Sequence, residues 1–386
     1  MLASDRHIAN LDMDQFFVSV ERLRDAKLNG KPLLIGANGD RSVVAACSTE
    51  AMQFGIYASM PMRVALRLCK YATVVRADYE EYSKQSKLIY EVIKDSVPLV
   101  EKSSLDNFYI DLTGMDKFFG CAKFTAALKK KISKHSGLLS SYGLASNKLV
   151  SKVAANEVTP NGQIEIPFGN EKIFLGPLSV IKIPGVGKET AFKLIKMGVE
   201  TINVLSDIPP EMLCDVVGAF GNELWRRANG IDHTPVIPYQ EQKAISTEHT
   251  FQPDTIDMKI VDGEIVRMTE KIAFELRKQN RLTGCLIVKL RYTDGETHTI
   301  QKSIEYCNKD HQLILVAREL FRKLFTRRLL VRLIGIRFTH LIPGTYQIDM
   351  FNDSTETIKL YQSIDHIKKR FGEEKLTRAI SRRSSY

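Results

Sequence analysis

Two acids two residues apart, Asp12 and Asp14 in "NLDMDQFF", and a third, Asp106 in "SSLDNFYIDLT", are the residues of this sequence best placed to do chemistry. Asp12 and Asp106 lie inside apolar, strand-like runs. A carboxylate is costly there unless a cation or several hydrogen-bond donors surround it. Residues two apart on a strand point the same way, so Asp12 and Asp14 could face one ion. Asp14 also stands directly before a helical pattern, where Asp is a favoured N-cap, and capping is its expected role. Asp12 reads equally as a ligand or as a satisfied polar group. Two acids on neighbouring strands suit Mg²⁺, which takes oxygen ligands and usually binds one or two carboxylates plus substrate phosphate. Two-ion phosphoryl transfer asks for one more acid, so that a second ion can activate the attacking hydroxyl. Next to Asp106 stands Asn107, which has the shape of a carboxylate without its charge.

The elements that must position these residues follow from periodicity. "HIANLDMD" reads as a buried strand and "QFFVSVERLRDA" as a helix; "KPLLIG" and "SVVAACS" are short strand-like runs. "TEAMQFGI" is a short helix stopped at Gly55, "MPMRVALRLC" one opened by Pro61, and 84–97 a longer helix stopped by Pro98. After the Asp106 strand come the helix "KFTAALKKKISKHSG" and a strand–helix pair in "YGLASNKLVSKVAANEV", broken by "TPNG". Residues 171–232 look wholly helical, and "HTPVIPYQEQKAI" is the best linker candidate. Beyond it, a helix over 260–279, the strand "GCLIVKLRYTDGET", the helix "LILVARELFRKLFTRR" and the strand "VRLIGIRFTHL" predict a small sheet backed by two helices. A last helix opens with Asp353 and Glu356 at capping-box spacing, with an apolar stripe of Ile358, Tyr361, Ile364, Ile367 and Phe371.

In order and spacing, "NLDMDQFFVSVE", "FGIYASMPM", "SSLDNFYIDLTG", "YGLASNKLVSKVA" and "IPGVGKETAFKLIKMG" resemble the Y-family translesion DNA polymerases, in the bacterial DNA polymerase IV branch. The resemblance covers roughly residues 7–340. It implies an α+β multidomain right-hand polymerase: palm at 1–24 and 81–165, fingers at 25–80, and a helical thumb at 166–233. A linker at 234–244, a little finger at 245–340 and a tail at 341–386 complete the chain. It further implies primer extension with two Mg²⁺ ions held by Asp12, Asp106 and the main-chain oxygen of Met13. Phe16 and Phe17 fall at the nucleotide, Phe17 as the aromatic gate against a ribose 2′-OH. Lys148 and Lys152 match lysines of the family's S-x-N-K-x-x-x-K helix.

The sequence departs from the family at four places around this one site. Asn107 replaces the Glu of the acidic motif. Thr49 and Met52 stand where a Tyr and an Arg would hold the triphosphate, and Thr159 stands where a turn lysine would. A thioether donates no hydrogen bond, and losing Arg removes a bidentate, charge-assisted contact. Two lost bonds to charged groups amount to about 3–6 kcal/mol, on the order of 10²- to 10⁴-fold. The resemblance therefore implies a polymerase of weak activity. The rival expectation is an inactive homologue that binds DNA and the sliding clamp as an accessory, and a nuclease using the same acids lacks a base for its water.

Charge agrees with a polyanionic partner. The 386 residues carry a net charge of +10. Residues 261–340 hold sixteen Lys and Arg against nine Asp and Glu, seven of those ten charges. A basic module of this kind suits phosphate tracking on primer–template DNA. Arg327, Arg328, Arg332 and Arg337 are the DNA-contact candidates there. In the thumb, Gly185, Gly187 and Lys188 resemble a helix–hairpin–helix turn whose backbone N–H groups meet a phosphate. Gln347, Met350 and Phe351 resemble the peptide by which bacterial polymerases hold the sliding clamp. Six scattered cysteines without C-x-x-C spacing predict reduced thiols and no zinc site. With no apolar run of membrane length and no signal-peptide layout at the N-terminus, a cytoplasmic monomer away from membranes is expected, taking deoxynucleoside triphosphate as substrate.

Overall fold

The apolar run holding Asp12 forms β1 (Ile8–Met13), the middle strand of a five-stranded sheet. The computed structural model describes residues 6–37, 39, 41–115, 120–238, 242–344, 355–372 and 375–381. Contacts divide the chain into two compact units, 1–240 and 241–386.

In the first unit β1 leads into α1 (Phe16–Arg24), β2 (Leu33–Ile35), β3 (Ala46–Cys47), α2 (Thr49–Met52), α3 (Met62–Leu68) and β4 (Thr73–Val75). Then come α4 (Tyr79–Lys94), β5 (Leu99–Lys102), β6 (Asn107–Asp111), α5 (Cys121–Ser136), β7 (Ser140–Ala145), α6 (Lys148–Glu157) and β8 (Gln163–Glu165). The main sheet has the order β5-β6-β1-β7-β8, antiparallel except for β7 with β8. Strand alternation divides its residues. Ala9, Leu11, Met13, Phe108 and Ile110 enter one core with Tyr82, Ile89 and Ile132 of α4 and α5, leaving Asn10, Asp12 and Asn107 on the opposite face. A smaller sheet, β3-β2-β4, builds its own core with α2 and α3 around Leu34, Ala51 and Ala65.

Helix α4 starts five residues before the position expected from sequence. Asp78 caps it by accepting from the Glu81 N–H at 3.1 Å, a local bond that outweighs the weak apolar spacing of its first turn. The short helices α7 (Glu171–Leu175), α8 (Lys188–Lys196), α9 (Ile202–Ser206), α10 (Pro210–Val217) and α11 (Phe220–Ala228) follow and share a core with α6. The expected linker has neither helix nor strand at 234–238 and 242–243, a strand begins at its last residue, Ala244, and its start is anchored. Val236 is buried against Ile8 and Tyr109, and the Ile237 N–H donates to Glu101 Oε2 at 2.8 Å. Lys148 Nζ grips the same Glu101 carboxylate at 2.7 Å, in a pair nearly closed to solvent.

The second unit contains β9 (Ala244–Thr255), α12 (Met258–Lys278), β10 (Arg281–Tyr292), β11 (Thr297–Cys307), α13 (Asp310–Leu324), β12 (Val331–Pro343) and α14 (Thr355–Phe371). Its sheet, β11-β10-β12-β9, is antiparallel throughout and buries Leu286, Val288, Leu290, Ile334 and Ile336 against α12 and α13. Only the two central strands were expected. β9 and β11 are edge strands rich in Thr, Ser, His, Glu and Gln, and they gain their strand form from neighbours more than from apolar alternation. The last helix also differs from expectation. Of its stripe, Tyr361 is buried while Ile367 and Phe371 are exposed. What holds α14 is polar: Asp365 accepts from Arg277 at 2.8 Å, and Arg277 also bonds Asp310. Asp353 of the capping box lies outside the described residues.

Candidate active site

Antiparallel register sets the centre of the site. Asp12 is the direct partner of Asn107 across β1 and β6, and the Met13 N–H donates to the Asp106 carbonyl at 2.8 Å. Asp12, Asp106 and Asn107 are thereby brought together, as the sequence suggested. Burial raises the Asp12 carboxyl to about 6, and Asp106 and Asp14 add to the rise, while a hydrogen bond from Asn107 and the Lys152 charge oppose it. Asp106 accepts from Ser104 Oγ at 2.6 Å.

Asp12, Asp106 and the Met13 carbonyl are oxygen donors of the kind Mg²⁺ takes, and a cation beside two close carboxylates would offset the penalty that lifts Asp12. These residues therefore fit one ion. Among the described residues no cluster of three His, Cys, Asp or Glu could hold a metal. Asn107 is engaged within the protein. Its Nδ2 donates to Asp12 Oδ1 at 3.2 Å and to Asn10 Oδ1 at 3.1 Å, and its Oδ1 accepts from Asn10 Nδ2 at 2.8 Å.

Asp14 does not cap α1. The residue preceding α1 is Gln15, left-handed at φ 46°, and no side chain caps the helix. Asp14 is buried instead and accepts from Ser141 Oγ and from the Asn161 N–H, each at 2.7 Å. It ties the strand end to the "TPNG" turn, and competing donors in the tertiary structure outweighed the local cap. Thr159 in that turn bonds back to the Ala155 carbonyl at 3.0 Å. Gly162 is required there, because a Cβ would fall 1.9 Å from the Val158 carbonyl oxygen.

Phe16 is buried in the core, whereas Phe17 is half-buried and packs edge-on against Tyr82 with ring centres 4.9 Å apart. Thr49 opens α2, and its Oγ1 accepts from Gln15 Nε2. Met52 is exposed, and α2 is fastened to α1 by Arg22, whose Nη2 donates to both carboxylate oxygens of Glu50 at 2.9 and 2.8 Å. Sequence reasoning missed Asn10, Gln15 and Ser141. Asn10 left a signal, a second polar residue at period two from Asp12 in an otherwise apolar strand.

The hairpin residues gather at the start of α8. Gly185 takes φ 92°, Gly187 is the N-cap, and the first N–H groups of Lys188–Lys196 have no intrahelical acceptor. The Lys188 ammonium lies 5.0 Å from the centre of the Tyr57 ring.

In the second unit the four arginines separate into two kinds. Arg327 pairs with Asp294 at 2.9 Å and with Glu296, and Arg332 approaches Asp254 at 3.6 Å. Arg328 and Arg337 are exposed, and among the described residues neither has a carboxylate partner. Arg337 stands across from Ile287, on the sheet face away from the helices. By alternation Lys289 and Arg291 share that face, and sequence reading passed over both. The Gln347–Met350–Phe351 peptide lies outside the described residues. No described helix is long and apolar enough to cross a membrane.

Residues 11–156 match the impB/mucB/samB family and residues 242–350 its C-terminal domain. A DNA polymerase IV of Dehalococcoides mccartyi is 32% identical over 371 residues, 95% of each chain. The chain belongs to the Y-family DNA polymerases, as a homologue of DNA polymerase IV. A DNA polymerase IV of Xanthomonas euvesicatoria pv. vesicatoria is 39% identical over 287 residues, 74% of this chain and 80% of the relative. The fold agrees: a Y-family DNA polymerase chimera of Dbh and Dpo4 superposes with a TM-score of 0.80 at 23% identity, covering 88% of this chain and all of the other. The Y-family architecture thus comprises the α+β catalytic core and the C-terminal little-finger domain, and the family acts in translesion synthesis and DNA repair.

Proposed function

We propose that this protein is a template-directed translesion DNA polymerase of weakened activity, adding deoxynucleotides to a primer 3′-OH. The observation that carries this reading is the state of Asn107. The residue replacing the second acid contributes an N–H to Asp12 and has its carbonyl occupied by Asn10. Asp12, Asp106 and the Met13 carbonyl would hold Mg²⁺. When bound, the ion supplies charge stabilisation at the phosphates and lowers the pKa of a hydroxyl it contacts. Phe17, half-buried against Tyr82, would close the sugar side of the nucleotide site. Asp14 orders the turn beside the site through the Asn161 N–H, and Arg22–Glu50 fixes α2, where Thr49 and Met52 offer the triphosphate no cationic donor. The five-stranded sheet corresponds in this reading to the palm, the smaller sheet to the fingers and α7–α11 to the thumb, with the chain cut into domains as set out from sequence. Backbone N–H groups at Gly187–Lys188 and the exposed Arg328 and Arg337 would meet DNA phosphates.

A second reading, an inactive homologue that binds DNA and the sliding clamp, is favoured by the same Asn107 geometry. Primer extension in Mg²⁺ and in Mn²⁺ separates the two. Under the polymerase reading extension is slow, stops with Asp106→Ala, and rises with Thr49→Tyr, Met52→Arg, Asn107→Glu and Thr159→Lys combined. Complete inactivity in both ions until those four are changed would leave only the accessory reading.

A further inference from the structure

Asn10 is completely buried in the middle of β1, two residues before Asp12 and on the same face. Its amide and that of Asn107 bond each other twice, at 2.8 and 3.1 Å, and the nitrogen of Asn107 also donates to Asp12 Oδ1 at 3.2 Å. A doubly bonded amide pair has a property that a single amide lacks. Turning both groups over keeps both mutual bonds and exchanges only what the pair presents to a third group. Here the third group is Asp12. As arranged, Asp12 meets an N–H; after the exchange it would meet a carbonyl oxygen, and two acceptors face each other comfortably only with a cation between them. Turning Asn107 alone would break both mutual bonds and strand the buried polar atoms of Asn10, a penalty at each.

We infer that Asn10 is a positioning residue for the metal centre: it holds Asn107 Nδ2 on Asp12, and lets the Asn107 carbonyl face an ion only when the two amides turn over together. The inference rests on reading Asp12 and Asp106 as the Mg²⁺ site. It gives Asn107 a definite task. A bonded N–H supplies at Asp12 part of the positive field that a second ion would bring, and the pairing sets the threshold for replacing it.

The test is Mn²⁺ binding to the full-length protein without DNA or nucleotide, with free ion counted by electron paramagnetic resonance. Wild type, Asn10→Ser, Asn107→Ala and the double variant are compared, with thermal melts beside them. Asn10→Ser should tighten Mn²⁺ binding roughly three- to tenfold, the size of one net hydrogen bond, and have no effect in the Asn107→Ala background. Unchanged affinity, or the same factor in both backgrounds, overturns the positioning role. If Asn10→Ser melts early, the wild-type protein labelled with ¹⁵N-asparagine serves instead. On adding Mg²⁺ the side-chain amide signals of Asn10 and Asn107 should move along one titration curve, and movement of Asn107 alone overturns the coupling. Asp12→Ala and Asp106→Ala should each lose Mn²⁺. If they retain it, the metal-site reading itself falls, a result distinct from a silent Asn10→Ser.

Discussion

Asp12 is the residue on which pH acts most directly. Its carboxyl titrates at about 6 in the folded protein against 3.8 ordinarily, because burial disfavours the charge. An acid whose folded pKa is raised contributes most to stability below its unfolded value, and that contribution is lost as pH rises through 6. Asp12→Asn should accordingly stabilise the protein by about 2 kcal/mol at pH 7.5 and leave it nearly unchanged at pH 4, measured by urea unfolding without divalent ions. The same titration sets metal affinity, since a proton and Mg²⁺ compete for the carboxylate. Calorimetry should show Mg²⁺ binding weakening up to about tenfold per pH unit below 6 and levelling off above it.

Single bonds between elements carry consequences of their own size. Asp14 joins the end of β1 to the 159–162 turn through two 2.7 Å bonds in a buried setting. Asp14→Ala leaves the Asn161 N–H and the Ser141 hydroxyl without that acceptor and should cost about 2 kcal/mol in a thermal or urea melt. The buried Glu101–Lys148 pair joins β5 to α6 and secures the start of the linker through the Ile237 N–H. Lys148→Met leaves Glu101 buried without its partner and should destabilise by about 3 kcal/mol, with faster proteolysis near residue 237 as a second readout. The double change Lys148→Met with Glu101→Leu should recover much of that loss, because a packed apolar pair often equals a buried ion pair.

At the scale of the whole molecule, the distribution of charge matters more than its total. Many of the arginines of the second unit are paired internally, Arg267 with Glu264, Arg277 with Asp310 and Asp365, Arg318 with Asp262, and Arg327 with Asp294. A salt titration of DNA binding should therefore give a slope set by few cations. Arg328→Ala and Arg337→Ala should each lower that slope by about one, whereas Arg327→Ala should change it little.

The sequence alone determined the chemistry on offer and the fold that carries it. Asp12, Asp106 and Asn107 stood out because a polar residue in an apolar strand must answer to a partner, and the ordered motifs identified the Y-family architecture. Central strands and long helices were legible because burial imposes its period on them. The edge strands β9 and β11 were not, since half their surroundings are solvent; β9 pairs with the distant Val331–Pro343, and β11 takes its form from the neighbouring β10. Local signals likewise misplaced Asp14, whose cap position was real in sequence but whose partners lie at residues 141 and 161. The direction in which Asn107 faces belonged wholly to tertiary structure. An amide can donate or accept, and only the residue opposite it, Asn10, 97 positions away in the chain, decides which end meets Asp12.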